Sequence, residues 1–163
     1  MTHGVRHTNP GWSDDLRRMM NAVGRTECAV GFPKGKGLKS AHYPTGASIL
    51  EVAVWNNFGA PRANIPARPF MNQATPKIVE AANALALQIA KANRSKPLNP
   101  AEYEKMYEAL GQQSRGIIQH TITTGNFAPN APSTILRKKS SRPLIDSGDM
   151  RAAVTYAVRE RSA

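Results

Sequence analysis

The chain has 163 residues, of which 40% are hydrophobic and 20% charged, and its formal net charge is +11. That length and balance suit a folded chain with its own core and exclude a disordered or collagen-like one. No apolar run reaches the roughly 20 residues of a membrane span, and the single Cys28 excludes an intrachain disulfide framework and a cysteine-rich zinc site.

Residues 1–12 read as a flexible polar tail, without the apolar stretch of a secretory signal. Residues 13–163 read as a single α+β domain. Ser13, followed by Asp14 and Asp15, suits the start of a helix to about residue 23, with Leu16, Met19, Met20 and Val23 on one face. A strand is expected over residues 27–32, with Cys28, Val30 and Phe32 on one side. Cys28, lying among apolar neighbours with no base in sequence reach, reads as a small hydrophobe.

Residues 33–46 form a glycine-containing basic loop carrying Lys34, Lys36 and Lys39. A helix over residues 47–58 places Ile49, Val52, Ala53 and Asn56 at helical spacing, although its β-branched content also suits a strand. Gly59 ends it. Residues 60–69 contain three prolines and are expected to be extended.

The next helix is expected over residues 72–93, striped by Ile78, Ala82, Leu85 and Ile89, with Pro76 in or before its first turn. The clearest helix begins at Asn99, where Pro100 takes the first position and Glu102 completes a capping box. Tyr103, Met106, Tyr107, Leu110, Ser114, Ile117 and Ile118 hold one face, and Gly125 closes it. Residues 126–143 combine three prolines with Arg137, Lys138, Lys139 and Arg142 and show no periodicity. They read as a second long loop, of a kind that is usually functional. A short helical turn near residues 149–152, capped by Asp146, then leads into a strand on which Val154, Tyr156 and Val158 alternate. The sum is an α+β fold: a small antiparallel sheet, about four helices packed on it and two long extended loops.

Motifs that would carry chemistry fail on inspection. The run from Gly31 to Gly37 has Val30 where a phosphate loop needs glycine, and Gly37 where it needs Ser or Thr. His3 and His7 lie in the tail without the glutamate of a metalloprotease motif, and His120 near a helix end needs no active site. Asp146 and Asp149 are too few for a metal-dependent nuclease. No catalytic, metal or cofactor residue is assigned.

Two stretches stand out. One is Trp55-Asn56-Asn57-Phe58-Gly59, followed by Pro66-Ala67-Arg68-Pro69-Phe70 and a helix. The other is Pro129-Asn130-Ala131-Pro132-Ser133-Thr134-Ile135, continuing through Pro143-Leu144-Ile145-Asp146-Ser147-Gly148-Asp149-Met150. In this order, around a long helix, they resemble the tail-component family of tailed bacteriophages, which includes neck, tail-completion and virion morphogenesis proteins. The resemblance covers roughly residues 27–159. Such proteins often carry Glu at the position of Asn57, so an ion pair there with Arg68 is not expected in this chain.

The resemblance implies a structural virion protein, a tail-completion or head–tail joining subunit without enzymatic activity. It implies a homo-oligomeric ring, often six-fold, with the tail tube or terminator on one side and the head connector or adaptor on the other. Its place would be the virion neck, and the host cytoplasm during assembly, with no membrane contact. Phe58, Gly59, Pro66, Arg68, Pro69, Phe70, Asp146 and Gly148 are expected to serve the fold. Phe58 would plug into the core, and Leu144 and Ile145 would pin the second loop to it. The basic residues Lys34, Lys36, Lys39, Arg137, Lys138, Lys139 and Arg142 are the candidates for contact with acidic neighbours, with transient sequence-independent DNA contact besides. The alternative is a basic nucleic-acid-binding module without enzymatic activity.

Overall fold

The computed structural model describes residues 26–32 and 46–160. The expected tail, the helix over residues 13–23, His3, His7, and Lys34, Lys36 and Lys39 lie outside the described residues. The elements in chain order are β1 (Thr26–Gly31), α1 (Ile49–Phe58), a 3-10 turn (Pro61–Ala63), α2 (Phe70–Ser95), α3 (Pro100–Thr124), α4 (Pro132–Lys138), α5 (Asp149–Ala152) and β2 (Thr155–Glu160). The class is α+β, with β1 and β2 forming one antiparallel two-stranded sheet.

Local signals start α1 and α3. Ser48 caps α1, its hydroxyl accepting from the Glu51 N–H at 3.2 Å while the Glu51 carboxylate accepts from the Ser48 N–H at 2.8 Å. Asn99 and Glu102 make the same reciprocal pair at α3, at 3.0 and 2.7 Å. Each box satisfies backbone donors that a helix start leaves unpaired. The helical alternative for residues 47–58 is therefore the correct one.

No such local signal starts α2. Its first flanking residue is Pro69, which gives no side-chain cap. The Asn57 side chain at the end of α1 supplies one instead, its Oδ1 accepting from the Met71 N–H at 3.0 Å. The helix thus begins at Phe70, two residues earlier than expected. Pro76 consequently falls in the second turn and not the first. It removes the N–H that would pair with the Asn72 carbonyl.

Helices α2 and α3, the latter about 37 Å long at 1.5 Å per residue, pack along each other as a hairpin. Asn93 staples the connection, donating to the Tyr103 hydroxyl at 2.8 Å and accepting from the Leu98 N–H at 2.9 Å. The expected face of α3 holds: Tyr103, Ser114 and Ile118 are buried, with Met106, Tyr107, Leu110 and Ile117 half-buried. The sheet lies against α3. Its register sets Val30 opposite Tyr156 and Cys28 opposite Val158. Gly111 makes the close approach possible, because a Cβ there would lie 2.3 Å from the Tyr156 ring.

One core cluster joins Ile49 and Ala53 of α1, Phe70 and Ala74 of α2, Ile118 and Ile122 of α3, and Leu144, Met150 and Val154 near the C-terminal end. Phe70 and Leu144 are the anchors expected of them, and Ile145 packs beside them. Three expectations are corrected. Residues 126–143 are not structureless, because α4 lies within them. Residues 60–65 are not extended: Ala60 and Ile65 exchange backbone hydrogen bonds at 2.9 and 3.1 Å around the 3-10 turn. Asp146 does not cap α5; Gly148 takes the N-cap position and Asp146 is exposed.

Two substitutions test this packing. Asn57→Ala removes the cap on Met71 and is expected to lower stability by about 1–2 kcal/mol in urea unfolding. Gly111→Ala is expected to destabilise by about 1–3 kcal/mol, because the clash with Tyr156 outweighs the better helix propensity of alanine. Adding Tyr156→Ala should recover part of that loss.

Candidate functional site

The Asn56-Asn57 pair at the end of α1 is a poor helix-forming sequence. Both side chains are used across the fold. Asn57 holds α2. Asn56 faces the connector, its backbone carbonyl accepting from the Arg68 N–H at 2.6 Å and its Oδ1 accepting from Arg68 Nη1 at 3.0 Å. Arg68 Nε donates to the Ala128 carbonyl at 2.9 Å. Its Nη2 donates to the Pro129 carbonyl at 3.2 Å and to Asn130 Oδ1 at 3.1 Å.

Arg68 is only 6% exposed, and all four guanidinium partners are neutral oxygens. Burial holds its pKa below the usual arginine value. A buried cation persists without a counter-ion only when its donors are satisfied, and here carbonyl and amide dipoles meet them. This contact joins the first distinctive stretch, residues 55–70, to the second, which begins at Pro129.

From this junction a closed loop projects. Asn130, itself buried, donates through Nδ2 to the Arg142 carbonyl at 3.2 Å and closes residues 130–142 at their base. Inside the loop, Lys138 Nζ donates to the Arg142 and Pro143 carbonyls, each at 3.4 Å. Burial lowers the Lys138 pKa; Asp146 opposes that shift, and Arg68 and Arg137 reinforce it. Ser140 Oγ accepts from the Arg142 N–H at 3.2 Å. Helix α4 therefore stands on a braced base, with Arg137, Lys139 and Arg142 exposed and Leu136 80% exposed.

Of the basic contact candidates within the described residues, Arg137, Lys139 and Arg142 are at the surface, whereas Lys138 is half-buried and braces the loop from within. Of the fold candidates, Arg68, Pro69 and Phe70 form the α1–α2 junction. Gly59 has φ +82° and ψ 158°, and a Cβ there would lie 3.0 Å from the Ala67 nitrogen, so glycine is required. Phe58 does not plug the core: it is 73% exposed. It stands at the rim of an open groove of about 450 Å³, lined also by Gly59, Pro61, Asn64, Ile65, Pro66 and Ala67. With the exposed Leu50, Val54 and Trp55 it makes the outer side of α1 apolar.

Sequence reasoning misses the roles of Asn56, Asn130 and Leu136. The asparagine pair inside a helix is the only available signal for the first. Cys28 is half-buried, and burial raises its thiol pKa. Among the described residues no three of His, Cys, Asp and Glu gather as a metal site. Comparison with protein-family models, with curated proteins and with solved structures finds no match.

The buried junction is testable. Arg68→Lys is expected to cost about 2–4 kcal/mol, since one ammonium cannot reach four acceptors spread around a planar fork. Denaturant unfolding measures that loss. Limited trypsin digestion should show faster cleavage after Arg137 and Lys139 as the loop base loosens.

Proposed function

We propose that this chain is a structural subunit of a tailed-bacteriophage virion, acting in tail completion or head–tail joining. The observation that supports this reading most is the Arg68 junction. The two stretches that carry the resemblance, about 60 residues apart in sequence, meet at one buried guanidinium. Their polar residues there are consumed by holding backbone together. The signature thus reads as a scaffold, and the work falls to surfaces the scaffold presents.

In this reading the protomers close into a ring through heterologous contacts, often six-fold in such proteins. The ring sits at the neck, between the tail tube or terminator and the head connector, after assembly in the host cytoplasm. No helix among the described residues is long and apolar enough to cross a membrane. The surface cations Arg137, Lys139 and Arg142 face acidic protein neighbours. DNA passing the lumen meets the ring only transiently and without sequence preference, because tight phosphate binding would hinder ejection. No catalytic group or cofactor takes part.

Electron microscopy of particles assembled without this chain tests the proposal. Full heads beside unjoined tails are expected for a joining role, and tails of abnormal length for a terminating one. Normal, joined particles would overturn both.

A further inference from the structure

Leu136 has no structural reason to be where it is. It sits on a seven-residue helix that contributes no buried residue, and it is 80% exposed. Around it the loop is ordered and one-signed: residues 130–142 contain Arg137, Lys138, Lys139 and Arg142 and no carboxylate. Lys138 is turned inward, and the other three stay at the surface. Lys139 adopts φ +52° at the end of α4, a conformation that glycine or asparagine takes more readily. A cation is thus held at a position where the backbone alone would favour a residue without charge.

We propose that α4 and the turn after it form a preformed plug for an acidic protein surface that has an apolar socket, with Leu136 as the anchor and Arg137, Lys139 and Arg142 as the surrounding cations. The assignment of its setting to a virion rests on the reading above; the chemistry of the plug does not. Charge complementarity selects the partner. A surface rich in Asp and Glu steers the loop in, and an apolar socket at its centre then excludes water from the leucine. DNA matches only half of this surface, because phosphate contact uses the cations and leaves Leu136 in water. The braced base, with Asn130 tied to Arg142 and Lys138 tied beneath, means little ordering remains to be done on docking.

The test is site-specific photo-crosslinking in cells assembling particles, using Leu136→p-benzoylphenylalanine, with Gln112→p-benzoylphenylalanine on exposed α3 surface as control. The expected result is an adduct from position 136 alone to a different protein, through a peptide with more Asp and Glu than Lys and Arg, suppressed by high salt. Leu136→Ala should then weaken binding to that purified partner by about tenfold or more, with an unchanged thermal midpoint because the side chain is outside the core. An adduct to DNA, an adduct to a second copy of this chain, or none above the control overturns the plug. Sedimentation of purified particles separates the two claims. A chain absent from particles yet crosslinked to an acidic partner removes the virion reading alone. A chain present in particles but not crosslinked removes the plug alone.

Discussion

The burial of Arg68 among neutral oxygens is the constraint on which the rest of the arrangement depends. A guanidinium taken out of water must have its donors met, and the acceptors here come from separate places along the chain: the end of α1, the segment after α3, and the base of the α4 loop. The carbonyls of Ala128 and Pro129 lie in a stretch with no helix or strand to use them. Buried backbone acceptors need partners as much as the cation does. The arginine and the irregular segment therefore solve each other's problem, and neither position is free to drift.

Asn57 serves a different corner, because it is the neighbouring Asn56 that meets Arg68. Asn57 commits its oxygen to the Met71 N–H and its amide to Asn72 Oδ1, at 3.0 and 3.4 Å. Its effect is on direction: α2 starts where α1 ends, so the helical hairpin leaves the core at a set angle. Phe70 seals that corner from within. Further along, Gly111 admits the Tyr156 ring and brings the sheet onto α3. The hairpin is thus fixed at its root by polar contacts and along its length by steric fit.

This division leaves the outer surfaces free of structural duty. The exposed large apolar residues of α1, namely Leu50, Val54, Trp55 and Phe58, contribute nothing to the core cluster, and neither does Leu136. What the scaffold contributes to them is position. The same asparagine that completes the Arg68 contact also closes the α4 loop through the Arg142 carbonyl. An extended, unbraced basic arm would lose far more conformational freedom on meeting a partner than this closed one.

The features legible in the sequence are those whose physics acts within a few residues. The α3 capping box, its apolar face, the two strands, and the anchoring of Phe70, Leu144 and Ile145 all rest on local hydrogen bonding or on periodicity. Helix α4 is not legible: it has seven residues, no side-chain cap and a proline-rich approach, so local propensity alone cannot announce it. Phe58 misleads because an aromatic before a helix-ending glycine looks like a core plug, while only the assembled fold shows which side of α1 faces inward. Asp146 looks like a cap, but the turn starts two residues later, at Gly148. The α+β class and most of the helices were determined by the order of residues alone, and the basic character of the chain by its composition. The Arg68 junction, the borrowed cap on α2 and the exposure of Leu136 were decided only by tertiary structure, because each depends on groups 12 to 62 residues apart, or on which face remains uncovered once the core has closed.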